Sequence, residues 1–235
     1  MNIIHYCWFG KKEKPELVKK CIESWKKYFP EFEIIEWNEE NFDIHFNAYT
    51  EEAYKVGKYA FVSDVARFFA LEKYGGLYFD TDVEVIKAFG KLLEKEAFAG
   101  FETDEYVAPG LVLWVKEKHN KIMKKMLEYY ETISFINQDG SYNTTTICVY
   151  FTNILKKYGL KGNNVKQQCR EFTIYPKDYF CPFNDQTGVL SKTENTYAIH
   201  WYSKTWMTSK EKARNKITRW FHRYFGVECF RRFRK

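Results

Sequence analysis

From Tyr59 to Val85 the sequence leaves few architectures open. Ala60, Phe61, Val65, Phe68, Phe69 and Leu71 recur at helical spacing around much of a circumference, which predicts a helix buried on most sides. Gly75 and Gly76 end that helix. Leu77, Tyr78 and Phe79 then read as a short buried strand, and extended structure resumes from Val83 to Ile86. Between the two stretches stand Asp80 and Asp82. A strand alternates its side chains, so both carboxylates are expected on one side, with Leu77 and Phe79 packed into a sheet and Tyr78 on the other face. Two carboxylates at that spacing suit a hard divalent cation such as Mg²⁺ or Mn²⁺, which takes oxygen ligands and keeps positions open for water and phosphate. A solvated turn with two chance acids is the plainer alternative.

The flanking sequence supplies an α/β frame. Asn2 to Cys7 reads as a first strand, Pro15 to Phe29 as an amphipathic helix with Leu17, Val18, Cys21, Ile22 and Trp25 on one face, and Phe32 to Trp37 as a second strand. Asn38, Asn41 and Asp43 mark a loop, and helical spacing resumes from Tyr49 to Val56. Val107 to Val115 reads as extended, Asn120 to Thr132 and Thr144 to Tyr158 as helices, and Phe172 to Tyr175 and Tyr197 to Trp201 as short strands. The polar stretch Ser134 to Thr146 reads as a mobile loop. Strands alternating with helices predict an α/β sandwich, whose ligands sit beyond the carboxyl ends of strands. The turns Cys7-Trp8-Phe9-Gly10 and Asp80-Thr81-Asp82 both fall there.

With 235 residues, 45% of them hydrophobic and 20% aromatic, the chain can bury a full core; one domain over 1–208 and a tail over 209–235 are expected. The net charge of +6 is unevenly spread: residues 209–235 hold ten Lys and Arg against Glu211 and Glu228, a surplus of eight that leaves −2 for the rest. Six scattered cysteines without a Cys-x-x-Cys pair read as free thiols rather than a zinc site or a disulfide framework. No basic-then-apolar leader opens the sequence, and no run approaches the roughly 18 apolar residues of a membrane span, so a cytoplasmic location is expected.

Five segments share an order and spacing: Ile4-His5-Tyr6-Cys7-Trp8-Phe9-Gly10, Trp37-Asn38, Phe61-Val62-Ser63-Asp64-Val65-Ala66-Arg67, Gly75 to Asp82, and Ile199-His200-Trp201-Tyr202-Ser203-Lys204-Thr205-Trp206. Together they resemble glycosyltransferase family 32, the DXD sugar transferases that include capsular polysaccharide enzymes, and more distantly the glucosylating toxins. The resemblance implies a Rossmann-like GT-A nucleotide-sugar-binding domain, a divalent metal (Mn²⁺ or Mg²⁺) and hexose transfer with retention of configuration. It further implies a nucleotide-sugar donor, with UDP-hexose foremost, and a saccharide acceptor that is lipid-linked in capsule-type relatives. The biological setting implied is capsular or surface polysaccharide synthesis.

By the same resemblance Asp82 ligates the metal, Asp80 bridges to the ribose or to metal-bound water, and His200 is the third member of the metal site. Trp8 stacks on the base, Tyr78 lines the nucleotide pocket, and Ser203, Lys204 and Trp206 close over the diphosphate. Asp64 and Arg67, three apart on one helical face beside Ser63, hold sugar hydroxyls. The residues alone leave plainer alternatives open: a packed His200, a core Trp8 or Tyr78, and an internal Asp64–Arg67 ion pair. The chemistry does call for these types, because charge develops on the leaving diphosphate and a cation neutralises it without proton transfer. No carboxylate nucleophile for a double displacement is evident, so front-face transfer is expected, with Gln138, Asp139 and Asn143 as loop residues near the acceptor.

In the tail, Ala213, Ile217, Trp220, Phe221, Tyr224 and Phe225 form an apolar stripe at helical spacing among Lys212, Arg214, Lys216, Arg219 and Arg223. This basic amphipathic helix suits an anionic membrane surface, here the inner face of the cytoplasmic membrane, or else docks on the body. Nothing suggests reading of nucleic acid. Two rival functions stay open. Phe79-Asp80-Thr81-Asp82-Val83 also fits the first motif of haloacid-dehalogenase-like phosphatases, with Asp80 as nucleophile and Asp82 as general acid, but the later acidic motif is missing. A non-catalytic nucleotide-sugar or membrane-binding protein is the other.

Overall fold

The computed structural model describes residues 2–203 and 209–229. Lys204, Trp206 and the final basic residues of the tail lie outside the described residues. The chain runs β1 (Ile3–Cys7), α1 (Glu16–Tyr28), β2 (Glu33–Trp37), α2 (Ala48–Lys55), α3 (Tyr59–Tyr74), β3 (Gly76–Tyr78), β4 (Val83–Val85), β5 (Ala97–Phe101), β6 (Val107–Ala108) and β7 (Leu113–Val115). It continues through α4 (Lys121–Glu131), α5 (Ile147–Lys156), β8 (Gln167–Cys169), β9 (Phe172–Tyr175), the pair β10 (Phe183–Asn184) and β11 (Val189–Leu190), β12 (Ala198–His200) and α6 (Ser209–Phe225).

The main sheet has the order β2-β1-β3-β7-β5-β9-β8, with β6 pairing to β5. β1 is parallel to both β2 and β3, β7 is antiparallel to β3 and β5, and β9 is parallel to β5. The carboxyl ends of β1 and β3 therefore point the same way, which brings the Trp8 turn and the Asp80 turn to one edge of the sheet. β4 leaves this sheet and pairs antiparallel with β12, placing His200 opposite Val83.

Two apolar layers sandwich the sheet, as the mixed helix and strand periodicities predict. On one face α2, α3, α4 and α5 bury Tyr49, Val65, Phe68, Met126, Tyr130 and Phe151. On the other, Trp25 of α1 packs with Phe29, Phe79, Phe89, Phe98 and Phe180, and its indole N–H donates to the Val83 carbonyl at 2.8 Å. Burying each such ring contributes roughly 1.5–3 kcal/mol. Gly76 has φ +100°, and a Cβ there would lie 2.6 Å from the Ile3 carbonyl, so only glycine lets β3 close on β1. Beneath that closure His5 is fully buried: its Nδ1 accepts from the Trp37 indole at 3.1 Å, so Nε2 carries the proton and donates to Gly75 O at 2.8 Å.

Several local readings need correction. β5 has no sequence signature, because Ala97-Phe98-Ala99-Gly100-Phe101 is buried on both sides and shows no polar alternation. Val107 to Val115 is two strands, not one, with a turn through Gly110. The stretch read as a loop carries an Ile136–Tyr142 bridge, and the Phe135 and Ile136 amides both donate to Glu52 at 2.8 Å. β3 ends at Tyr78, and Asp80 to Val83 is a turn closed by the Val83 amide on the Asp80 carbonyl at 3.1 Å. Strand alternation therefore does not govern the acid pair, and Asp80 and Asp82 face different partners.

Candidate functional site

Asp82 and His200 meet because β4 starts one residue after the acid and β12 ends on the histidine. His200 Nε2 lies 3.0 Å from Asp82 Oδ1, and the Ser203 amide donates to Asp82 Oδ2 at 2.7 Å. Burial alone would raise the Asp82 pKa, but His200 and Ser203 outweigh it and hold the carboxyl far below its ordinary range. Burial works against the His200 cation too, and Asp82 together with Asp80 and Glu102 lifts it to about 9. His200 Nδ1 is buried with no hydrogen-bond partner among the described residues.

Asp80 turns the other way. Its Oδ1 accepts from the Tyr78 hydroxyl at 3.1 Å and lies 3.2 Å from Arg67 Nη2, which also donates to Asp64 at 2.9 Å. Arg67 and Asp64 lie one turn apart on α3, so a single guanidinium joins two carboxylates. Its plane covers the Tyr78 ring at 4.7 Å. Burial pushes the Asp64 carboxyl up to about 7 and that of Asp80 upward, against the pull of Arg67. Arg67 Nη1 is buried with no partner among the described residues, a donor left over after both acids are served. The clamp closes only because residue 110 is glycine: a Cβ there would collide with Asp80 Oδ2 and press on Arg67 Nη1. The ion-pair and ligand readings of Asp64 and Arg67 are thus compatible. Bound by Arg67 and Tyr78, Asp80 is not the free nucleophile a phosphatase would need.

Trp8 is half-buried at the end of β1, and its indole N–H is satisfied by the Lys12 carbonyl at 2.6 Å. A ring held that way keeps an apolar surface for stacking. Tyr78 is 1% exposed under Arg67, so it braces Asp80 and Arg67 rather than offering a ring face to a base. Ser63 donates to the Tyr59 carbonyl at 3.1 Å beside the clamp. Ser203 belongs to the Asp82 end, whereas Lys204 and Trp206 fall outside the described residues. Asp139 is engaged with Ser141, and Asn143 accepts from the Tyr150 hydroxyl at 3.0 Å, so both serve local turns.

Two residues that the sequence reading missed complete the cluster. Tyr202 adopts φ +50°, a conformation uncommon for a bulky residue, and this brings its ring to 4.1 Å from His200. Its hydroxyl donates to Glu102 at 2.9 Å and lies 3.1 Å from Cys181 Sγ. Cys148 Sγ approaches the other Glu102 oxygen at 3.5 Å. Glu102 follows β5 and belongs to no recognisable pattern; only the strand itself could have announced it.

The donor set can take a small divalent cation if the cation displaces the Nε2 proton that His200 shares with Asp82. Ligands about 2.1 Å from an octahedral ion and adjacent to one another lie about 3.0 Å apart, the separation of His200 Nε2 from Asp82 Oδ1. Among the described residues no three His, Cys, Asp or Glu side chains form a ready-made cage. An imidazole and one carboxylate suit an ion that arrives with phosphate oxygens and water as its other ligands.

Residues 15–99 match the family model described as the glycosyltransferase sugar-binding region containing a DXD motif. An uncharacterized protein of Arabidopsis thaliana is 28% identical over 124 residues, which is 53% of this chain and 18% of that protein, so the chain spans less than a fifth of this relative. Among solved structures, the PaToxG glycosyltransferase aligns with a TM-score of 0.51 at 22% identity, over 67% of this chain and 68% of that one. A glycosyltransferase involved in the glycosylation of the major capsid of PBCV-1 aligns over 92% and 98% of the two chains with a TM-score of 0.45 and 12% identity. The PaToxG alignment bears on architecture alone, and the expected GT-A-like α/β fold is borne out by it.

Proposed function

We propose, from the premise of a DXD-type glycosyltransferase sugar-binding region, that this chain is a metal-dependent retaining hexosyltransferase using a nucleotide-sugar donor, UDP-hexose foremost. The observation that carries the reading is the pairing of Asp82 with His200 beside a buried arginine with one N–H, Arg67 Nη1, left without a partner among the described residues. The first offers a place for the diphosphate's cation, and the second a donor for a sugar hydroxyl.

When bound, the cation neutralises charge on the departing diphosphate. The protein's own groups position the rest. Arg67, fixed by Asp64, Asp80 and Tyr78, presents its remaining N–H to the hexose, and Trp8 supplies a surface for the base. Ser203 fixes the second oxygen of Asp82 through its amide and so aims the first. The bond from the anomeric carbon to the diphosphate oxygen breaks, the bond to the acceptor oxygen forms on the same face, and the acceptor proton passes to the leaving phosphate. No enzyme nucleophile enters this scheme. The acceptor is a saccharide, lipid-linked in the setting of surface polysaccharide synthesis.

A screen of UDP- and GDP-sugars for Mn²⁺-dependent hydrolysis and thermal stabilisation tests this reading. It predicts a response to one nucleotide-sugar that Asp82→Ala abolishes. No response to any donor, or a variant indistinguishable from the parent, would refute it.

A further inference from the structure

α6 is joined to the body by its polar side. Arg219 donates through Nε to the Asp185 carbonyl at 2.7 Å, pairs with the Asp185 carboxylate, and lies over the Phe183 ring at 5.4 Å. His222 Nδ1 lies 3.2 Å from the Gln186 carbonyl. Three residues apart, Arg219 and His222 share a face. Ile217, Trp220 and Tyr224 share the opposite one, and they are 61%, 54% and 64% exposed. A helix that merely caps its own domain turns its apolar stripe inward. Here the Ile217, Trp220 and Tyr224 side of the stripe faces away from the hairpin that holds the helix, while Phe221 is half-buried.

We propose that this outward face docks on an anionic lipid bilayer. Exposed Arg214, Lys216 and Arg223 flank the Ile217, Trp220 and Tyr224 stripe. That arrangement fits apolar rings at the acyl boundary with cations among headgroup phosphates. A second copy of the chain is a poorer occupant, since a two-fold contact would set these cations against their own counterparts. A nucleic acid is poorer too, because the centre of the face is apolar and its cations lie at the edges. Among the described residues no helix is long and apolar enough to cross a membrane, so the contact is peripheral. The hairpin that holds α6 also reaches the donor site: Phe183 packs on Trp201 at 5.5 Å, and Trp201 adjoins His200.

The test is co-sedimentation of the full chain with phosphatidylcholine vesicles, with and without phosphatidylglycerol. Partition onto the anionic vesicles only is expected, falling about fivefold each for Lys216→Ala and Arg223→Ala. Trp220→Glu combined with Tyr224→Glu should lower it at least about tenfold with the circular dichroism unchanged. Trp220→Phe keeps the partition but reduces quenching of tryptophan emission by brominated lipid, which covers the case of a double variant that misfolds. Equal partition onto neutral vesicles, a double variant that sediments like the parent, or tighter retention by single-stranded DNA than by vesicles would overturn the proposal. A dimer that the double variant dissociates, without vesicle binding, would do the same. None of these measurements depends on sugar transfer, so they can fail while the proposed function stands.

Discussion

His200 Nε2 and Asp82 Oδ1 stand 3.0 Å apart across the β4–β12 ladder, the separation of neighbouring ligands on a small octahedral ion. Asp82→Asn keeps the shape and removes the charge. Mn²⁺-dependent donor hydrolysis should fall by about two to three orders of magnitude, and stabilisation by Mn²⁺ in a thermal shift assay should vanish. His200→Ala should act in the same direction.

Arg67 serves two buried acids at once. Arg67→Met strands both, and breaking a buried pair costs about 3–5 kcal/mol. Urea denaturation should show that loss for Arg67→Met, and a smaller one for Arg67→Met combined with Asp64→Leu, because one stranded charge is then gone.

Gly110 has no room for a methyl group beside Asp80. Gly110→Ala is expected to displace Asp80 from Arg67 and to abolish detectable donor hydrolysis while the far-ultraviolet circular dichroism stays native. Its effect on hydrolysis should exceed that of Gly140→Ala, where the added carbon meets nothing within 4 Å and the strain of φ +81° falls on the turn between Asn137 and Ser141 rather than on the clamp.

Under the proposed function Tyr202 positions His200, whose ring it meets at 4.1 Å. Tyr202→Phe keeps the ring over the imidazole and loses the bond to Glu102; Tyr202→Ala loses both. The Mn²⁺ concentration for half-maximal hydrolysis should rise about tenfold for Tyr202→Ala and less for Tyr202→Phe, because only the former frees the imidazole to turn. A purely structural role would lower the melting temperature and leave that concentration unchanged.

Burial lowers the His5 pKa from 6.5 to about 4. Between those values the unfolded chain binds a proton that the folded one refuses, so the stabilisation is complete above pH 6.5 and is lost as pH falls to about 4. The loss amounts to about 3 kcal/mol. Urea midpoints across that interval, compared between the parent and His5→Gln, should reveal a slope in the parent that the variant lacks.

What could be read in advance followed the local chemistry. The helix ending at Gly75 and the acid pair each sit in a short pattern of their own, whereas His200 was tied to Asp82 only by the family resemblance. β5 could not be read in advance, because a strand covered on both faces lacks alternation and resembles any apolar run. The divergence of Asp80 from Asp82 was hidden for a different reason: it depends on a turn, and on the shape of Gly110 some thirty residues later. Glu102 meets Tyr202 only through tertiary packing, and no periodicity marks either residue. In the tail, the stripe was plain from spacing, but which side of it met the body depended on Arg219 finding Asp185.

The hydrogen bond from Ser203 to Asp82 spans 121 residues of sequence. During synthesis the motif around Asp80 emerges long before the strand that completes it, so a nascent chain halted ahead of His200 holds its acids without their partner. Such a fragment lacks the imidazole that, under the proposed function, would share a cation with Asp82. The ladder between β4 and β12 can form only once the strands of the main sheet have been made, so the Asp82–His200 pair is assembled late in translation.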